Sequence, residues 1–139
     1  MRTLLLTVLL GVSVLGCSKT TTEQKVEKLS DTVPTMTVDE LDTKLAGKDC
    51  QAVDANGEGT RKKMGVIPGA VLLTDSEAFS TSELPADKSK TLVFYCANTH
   101  CGASHEAAAR ALTAGYTNVK VLPEGIAGWV KAGKQTQKI

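Results

Sequence analysis

Apolar residues in this chain fall into two alternating patterns. Short, nearly continuous runs stand at Gln51-Ala52-Val53-Asp54, Ala70-Val71-Leu72-Leu73, Thr91-Leu92-Val93-Phe94-Tyr95 and Val119-Lys120-Val121-Leu122. Bounded by turn formers and mostly rich in β-branched or aromatic residues, they predict strands. Between them, apolar positions space out by three or four. Val38, Leu41 and Leu45 follow Thr37-Val38-Asp39-Glu40, a capping-box pattern with Thr37 as N-cap and Glu40 at N3, and Gly47 supplies the stop. Ser104 to Ala114 is an Ala-rich helix closed by Gly115, and Ile126 to Ala132 is a short helix closed by Gly133. Asp75 to Leu84 predicts a short helix or helical turns. Residues 55–66 carry three glycines and the basic cluster Arg61-Lys62-Lys63, and predict a loop. Strands that alternate with helices, and that are apolar on both faces, imply a mostly parallel sheet covered on both sides. The fold class is α/β.

The first residues follow another rule. After Arg2, the run from Leu4 to Leu15 is broken only by Thr7, Gly11 and Ser13. It is too short to cross a bilayer core of roughly 30 Å as a helix and suits the apolar region of a signal peptide. It ends in Val14-Leu15-Gly16-Cys17, which resembles the bacterial lipobox. That resemblance implies removal of residues 1–16 and acylation of Cys17 by chains such as palmitate. Several chains, at ~0.8 kcal/mol per buried methylene, would anchor the protein stably. Ser18, rather than Asp, follows Cys17. This implies a cell-envelope protein on the outer membrane, facing the periplasm. Residues 17–34 are polar, with Thr20 to Thr22 in sequence, and are expected to be a flexible tether. Residues 35–139 are expected to form the domain.

Composition narrows the partners. The chain carries 16 Lys and Arg against 15 Asp and Glu, and removing residues 1–16 takes away Arg2 alone, which balances the two signs. Such a charge points to neither nucleic acid nor an anionic membrane surface; membrane attachment is left to the lipid anchor. Aromatics are scarce, so the core must be aliphatic, with Trp129 part of it.

The chemistry lies in the cysteines. Apart from Cys17, Cys50, Cys96 and Cys101 remain, an odd number for an oxidising compartment. Cys50 stands just before the first strand and reads as a buried structural residue. Tyr95-Cys96-Ala97-Asn98-Thr99-His100-Cys101-Gly102 follows the clearest strand and opens a helix. At such a place unpaired main-chain N–H groups face whatever sits there. A cysteine there gains a stabilised thiolate, with a pKa that can fall to ~3.5–7.5. Cys96 is therefore the expected nucleophile, with Ala97 to Gly102 as its loop. His100 and His105, near the two cysteines, raise a metal site as a rival. Their spacing matches no usual zinc motif, and four ligands on one tight loop would strain it, so no metal or cofactor is assigned.

The region from about Thr35 to Lys134 resembles a rhodanese-like domain. Val53-Asp54-Ala55-Asn56 with Gly65-Val66-Ile67-Pro68-Gly69-Ala70 is similar to the family's first block. Phe94-Tyr95-Cys96 is similar to its strand and active-site cysteine. Ala107 to Leu112 with Gly115-Tyr116-Thr117-Asn118-Val119 resembles the helix and strand that follow. Gly125-Ile126-Ala127-Gly128-Trp129 resembles the C-terminal block. The resemblance implies a three-layer fold and sulfur transfer. Cys96 would become a persulfide by taking a sulfane sulfur from a small donor, and would pass it to a thiol acceptor, small or protein-borne. Asp54 and Arg61 are carried over as supporting residues, although Arg61 lies farther along than the family's Asp-x-Arg pattern. This chain departs from the family in having Cys101 where an Arg or Lys is common, Val66 for a His, and Glu124 for a Gly. The missing cation removes a partner for an oxyanion donor. Cys101 stands five residues from Cys96 and could bridge it if the Cα atoms come within ~7 Å, which would make it a resolving thiol. A purely structural Cys101 is the other reading. A thiol redox or metal-binding module without sulfurtransferase turnover is the alternative function.

Overall fold

The structure is a computed structural model and describes residues 20–139. The expected signal segment and the expected acylation site at Cys17 lie outside the described residues. No helix among the described residues is long and apolar enough to cross a membrane.

Four strands form one parallel sheet: β1 (Cys50–Asp54), β2 (Val71–Leu72), β3 (Thr91–Tyr95) and β4 (Val119–Leu122), in the order β2-β1-β3-β4. Around it stand α1 (Thr21–Ser30), α2 (Val38–Ala46), α3 (Glu58–Met64), α4 (Ala103–Thr113) and α5 (Gly125–Lys131). Side chains alternate across the sheet, as strand geometry demands. Leu92 and Phe94 join Val53, Val121 and α4 residues Ala107, Ala108 and Ala111 in one buried cluster. Val93 and Tyr95 join Leu41 of α2, and Ile126 and Trp129 of α5, in the other. The result is the expected three-layer α/β fold. Small side chains at Ala107 to Ala109, all fully buried, let α4 lie close to the sheet with few aromatics to fill the gap.

The predicted strands appear within a residue or two of their expected bounds. So does the Thr37 capping box, in which Glu40 accepts the Thr37 N–H at 2.8 Å. Asp75 to Leu84 forms turns that include a 3-10 segment at Thr81–Glu83.

Two expectations are corrected. Residues 55–66 are not wholly loop. Glu58 to Lys63 are good helix formers apart from Gly59 and Thr60, Glu58 pairs with Lys62 one turn on, and α3 runs until Gly65. Gly65 has φ +79°, and a Cβ there would stand 2.9 Å from the Gln137 carbonyl oxygen. The expected flexible tether is helical over Thr21–Ser30. Thr20 caps it, Val26 is 2% exposed, and Glu23 meets Arg110 of α4 at 3.0 Å. The polar composition concealed a docked helix because Val26 is its one fully buried side chain, Leu29 is only half-buried, and the Glu23–Arg110 ion pair adds to the contact.

Beyond α1 the chain runs beside β4. Val121 donates its N–H to the Pro34 carbonyl at 2.9 Å, and its carbonyl accepts the Met36 N–H at 2.8 Å. Because all strands are parallel, the segments after β1, β3 and β4 gather at one edge of the sheet.

Candidate active site

At that edge β3 ends and Cys96 follows. It is 1% exposed and belongs to the apolar cluster beneath α4. Cys96 and Cys101 form a disulfide with a Cα separation of 6.3 Å, inside the usual span of about 4.4–6.8 Å. Asn98 makes the turn that allows this. Its carbonyl accepts the Cys101 N–H at 3.1 Å, and its side-chain oxygen accepts the His100 N–H at 3.0 Å. Cys101 thereby folds back toward Cys96. The Cys96 sulfur lies 3.2 Å from the Cys101 carbonyl oxygen and 3.3 Å from Ser104 Oγ. Ser104 is 1% exposed and stands in the first turn of α4.

The expected cradle of main-chain donors takes a different form. In this disulfide no main-chain N–H of the loop donates to the Cys96 sulfur, because Asn98 takes those of His100 and Cys101. The N–H groups of Ala97, Thr99 and Gly102 have no protein acceptor among the described residues. The polar contact on the sulfur that can favour a thiolate is the Ser104 hydroxyl. The sequence reading missed it, although a serine at a helix start after a cysteine loop is the signal that marks it.

The opposite side of the loop is held by α5. Ile126 and Ala127 donate their N–H groups to the carbonyls of Cys96 and Ala97, at 2.8 and 3.0 Å. Gly125 makes this approach practicable. Its φ is +61°, and a Cβ would stand 2.5 Å from the Cys96 carbonyl oxygen and 2.8 Å from the Ala97 carbonyl carbon. Here too the role was invisible in the sequence, which marked Gly125 only as part of a family block. Glu124, just before it, has a buried Oε2 with no hydrogen-bond partner among the described residues.

Asp54, fully buried at the end of β1, accepts the Asn56 N–H at 2.7 Å and Arg61 Nε at 3.1 Å. Arg61 Nη2 also donates to the carbonyls of Asp54 and Leu73, at 3.0 and 2.8 Å. The long sequence spacing is closed by α3, which returns Arg61 to Asp54. The pair ties the ends of β1 and β2 and touches neither cysteine. Beside it, Tyr95 accepts the Ile67 N–H at 3.0 Å, and burial followed by the Asp54 carboxylate pushes its phenol well above the usual value.

Asn98, Thr99 and His100 are exposed at the loop tip, and Cys101 and Ala97 are half-buried. His105 lines a surface cavity of about 450 Å³ with Gly102, Glu106, Glu23 and Glu27 of α1, and Asp31 just after that helix. No group of three or more His, Cys, Asp or Glu among the described residues is arranged to hold a metal ion. Burial pushes the Cys50 thiol up, as fits a structural cysteine.

A parallel sheet, a cysteine at its carboxyl edge and a helix opening behind that cysteine define a class, and comparison supports it. The profile of the Rhodanese-like domain family matches residues 37–132. The chain belongs to this family. None of the curated proteins compared matches it. Among solved structures, the thiosulfate sulfurtransferase of Pseudomonas aeruginosa is 21% identical, with a TM-score of 0.65 over 84% of this chain and 23% of that one. A rhodanese-like domain from an Anabaena protein is 24% identical, with a TM-score of 0.63 over 76% and 80%. A rhodanese-like domain protein from Staphylococcus aureus is 25% identical, with a TM-score of 0.57 over 76% and 99%. These likenesses concern the fold.

Proposed function

We propose that the protein moves sulfane sulfur through a Cys96 persulfide at the bacterial envelope. The observation that carries this reading is the placing of Cys96 between the end of β3 and the first turn of α4, with Ser104 Oγ 3.3 Å away. In the reduced protein the Cys96 thiolate attacks the sulfane sulfur of a donor. The donor's S–S bond breaks, the donor leaves as an anion, and Cys96 keeps the sulfur. An acceptor thiolate then attacks the terminal sulfur, takes it, and frees Cys96 as thiolate. The Ser104 hydroxyl, 3.3 Å from Cys96 Sγ, is placed to donate to the Cys96 thiolate before it attacks and after it is freed.

The donor follows from charge. No Lys or Arg stands between Cys96 and Arg110, and Arg110 is occupied by Glu23 and Glu106. Four carboxylates line the cavity beside Gly102. The described loop and the helix behind it thus offer a doubly charged thiosulfate no free cation of their own, whereas an organic persulfide has no sulfonate to be held. The lipobox-like Val14-Leu15-Gly16-Cys17 supports a lipid anchor, and Ser18 in place of an Asp after Cys17 supports the outer membrane, facing the periplasm.

The test uses the pre-reduced full-length chain with glutathione persulfide and, separately, with thiosulfate, followed by intact mass. We expect one added sulfur from the persulfide and none in Cys96→Ser. Failure to gain sulfur from either donor sinks the reading.

The disulfide favours a second reading, a thiol redox module. In it the Cys101 thiolate attacks Cys96 Sγ of the persulfide, hydrosulfide leaves, and the Cys96–Cys101 bond forms.

A further inference from the structure

The two sulfurs of the disulfide are not equivalent. Cys96 is 1% exposed and sits in the apolar cluster under α4. Cys101 is half-buried and flanked by exposed His100 and Gly102, and nothing stands within 4 Å of where a Gly102 Cβ would be. Thiol–disulfide exchange is an in-line displacement: the incoming thiolate approaches the attacked sulfur from the side opposite the leaving one. To attack Cys96, a thiol would have to come through the buried cluster. To attack Cys101, it approaches from the open side of the loop.

The leaving sulfur is unequal as well. A thiolate leaves faster when its anion is stabilised. Expelled Cys96 has the Ser104 hydroxyl at 3.3 Å; expelled Cys101 has no side-chain donor among the described residues. Access and leaving-group stability select the same direction.

We propose that Cys101 is the docking sulfur for a dithiol protein reductant, and that Cys96 is always the thiolate released. The inference uses the Cys96–Cys101 bond and rests on the reading of Cys96 as the working nucleophile only for its purpose. The partner's first thiolate attacks Cys101 Sγ and the Cys96–Cys101 bond breaks. A mixed disulfide forms between partner and Cys101, and Cys96 departs as thiolate. The partner's second thiolate then attacks its own mixed-disulfide sulfur, and Cys101 leaves as thiolate. The partner ends oxidised and this chain reduced by two electrons.

The experiment mixes the oxidised full-length chain with a thioredoxin whose second thiol is replaced by serine, so that the first mixed disulfide persists. Free thiols are capped with iodoacetamide and the complex is mapped by peptide mass. The expected result is thioredoxin on Cys101 with the cap on Cys96, exceeding the reverse arrangement by about tenfold or more. An equal split, a majority on Cys96, or no mixed disulfide overturns the proposal. A parallel arm treats pre-reduced Cys101→Ser with glutathione persulfide. Sulfur gain there with a failed trap removes the reductant inference alone. A successful trap with no sulfur gain removes the persulfide reading alone.

Discussion

A buried hydroxyl 3.3 Å from a buried sulfur has one useful job when that sulfur is an anion: it donates. Hydrogen bonds to charged groups are worth about 1.5–3 kcal/mol, and one pKa unit corresponds to about 1.4 kcal/mol. Ser104→Ala is therefore expected to raise the Cys96 thiol pKa by about one unit or more. The pH dependence of iodoacetamide alkylation, followed on the Cys96 peptide of the pre-reduced protein, measures it; an unchanged profile would reduce Ser104 to a packing residue. Residues whose chemistry is local were legible in the sequence. The place of Cys96 between a strand and a helix was readable, and so was that of Asp54 at the end of a strand. Ser104 and Gly125 were not legible, because their roles exist only once α4 and α5 converge on one loop. Arg61 was legible in kind but not in position: the pairing depends on α3, and the loop-like glycines around α3 hid it.

At the scale of elements, the strands were readable because both faces are buried and the apolar runs are therefore unbroken. α4 was readable from its alanines and Gly115. α1 was not, since burial of one valine leaves no periodic stripe to detect. That economy makes α1 easy to release. Val26→Asp places a carboxylate where 2% exposure leaves it little water, and an unpaired buried charge is not tolerated. The variant should lose amide-exchange protection over Thr21–Ser30 while β3 and α4 keep theirs. Hydrogen exchange by mass spectrometry reads both regions in one run. Retained protection of the helix would mean that burial of Val26 is not what holds it.

For the whole molecule, several carboxylates serve as structural acceptors. The Thr74 N–H, and after it that of Ser80, hold Glu83 below its ordinary value of 4.5. The Thr37 N–H does the same for Glu40, and the Ser89 side chain, then its N–H, for Asp87. A carboxylate held low in the folded state contributes stability that is complete above its unfolded pKa and is lost as the pH falls through the folded value. Urea midpoints should therefore hold steady from neutrality and decline below pH 4.5, with Glu83→Gln removing part of that decline. A curve with no acid limb would show these contacts to be inert. The layered architecture itself followed from the sequence, since strands apolar on both faces admit no other covering.

The short run beside β4 has a bearing on how the protein behaves in a crowd. Without Pro34 and Met36, the Val121 N–H and carbonyl would stand bare along the rim of the sheet. Unsatisfied strand rims recruit neighbouring molecules and seed precipitation. The region matched by the family profile begins at Thr37. Trimming the protein to that region would preserve every residue of the cysteine loop and strip away the cover that keeps one copy from adding itself to the next.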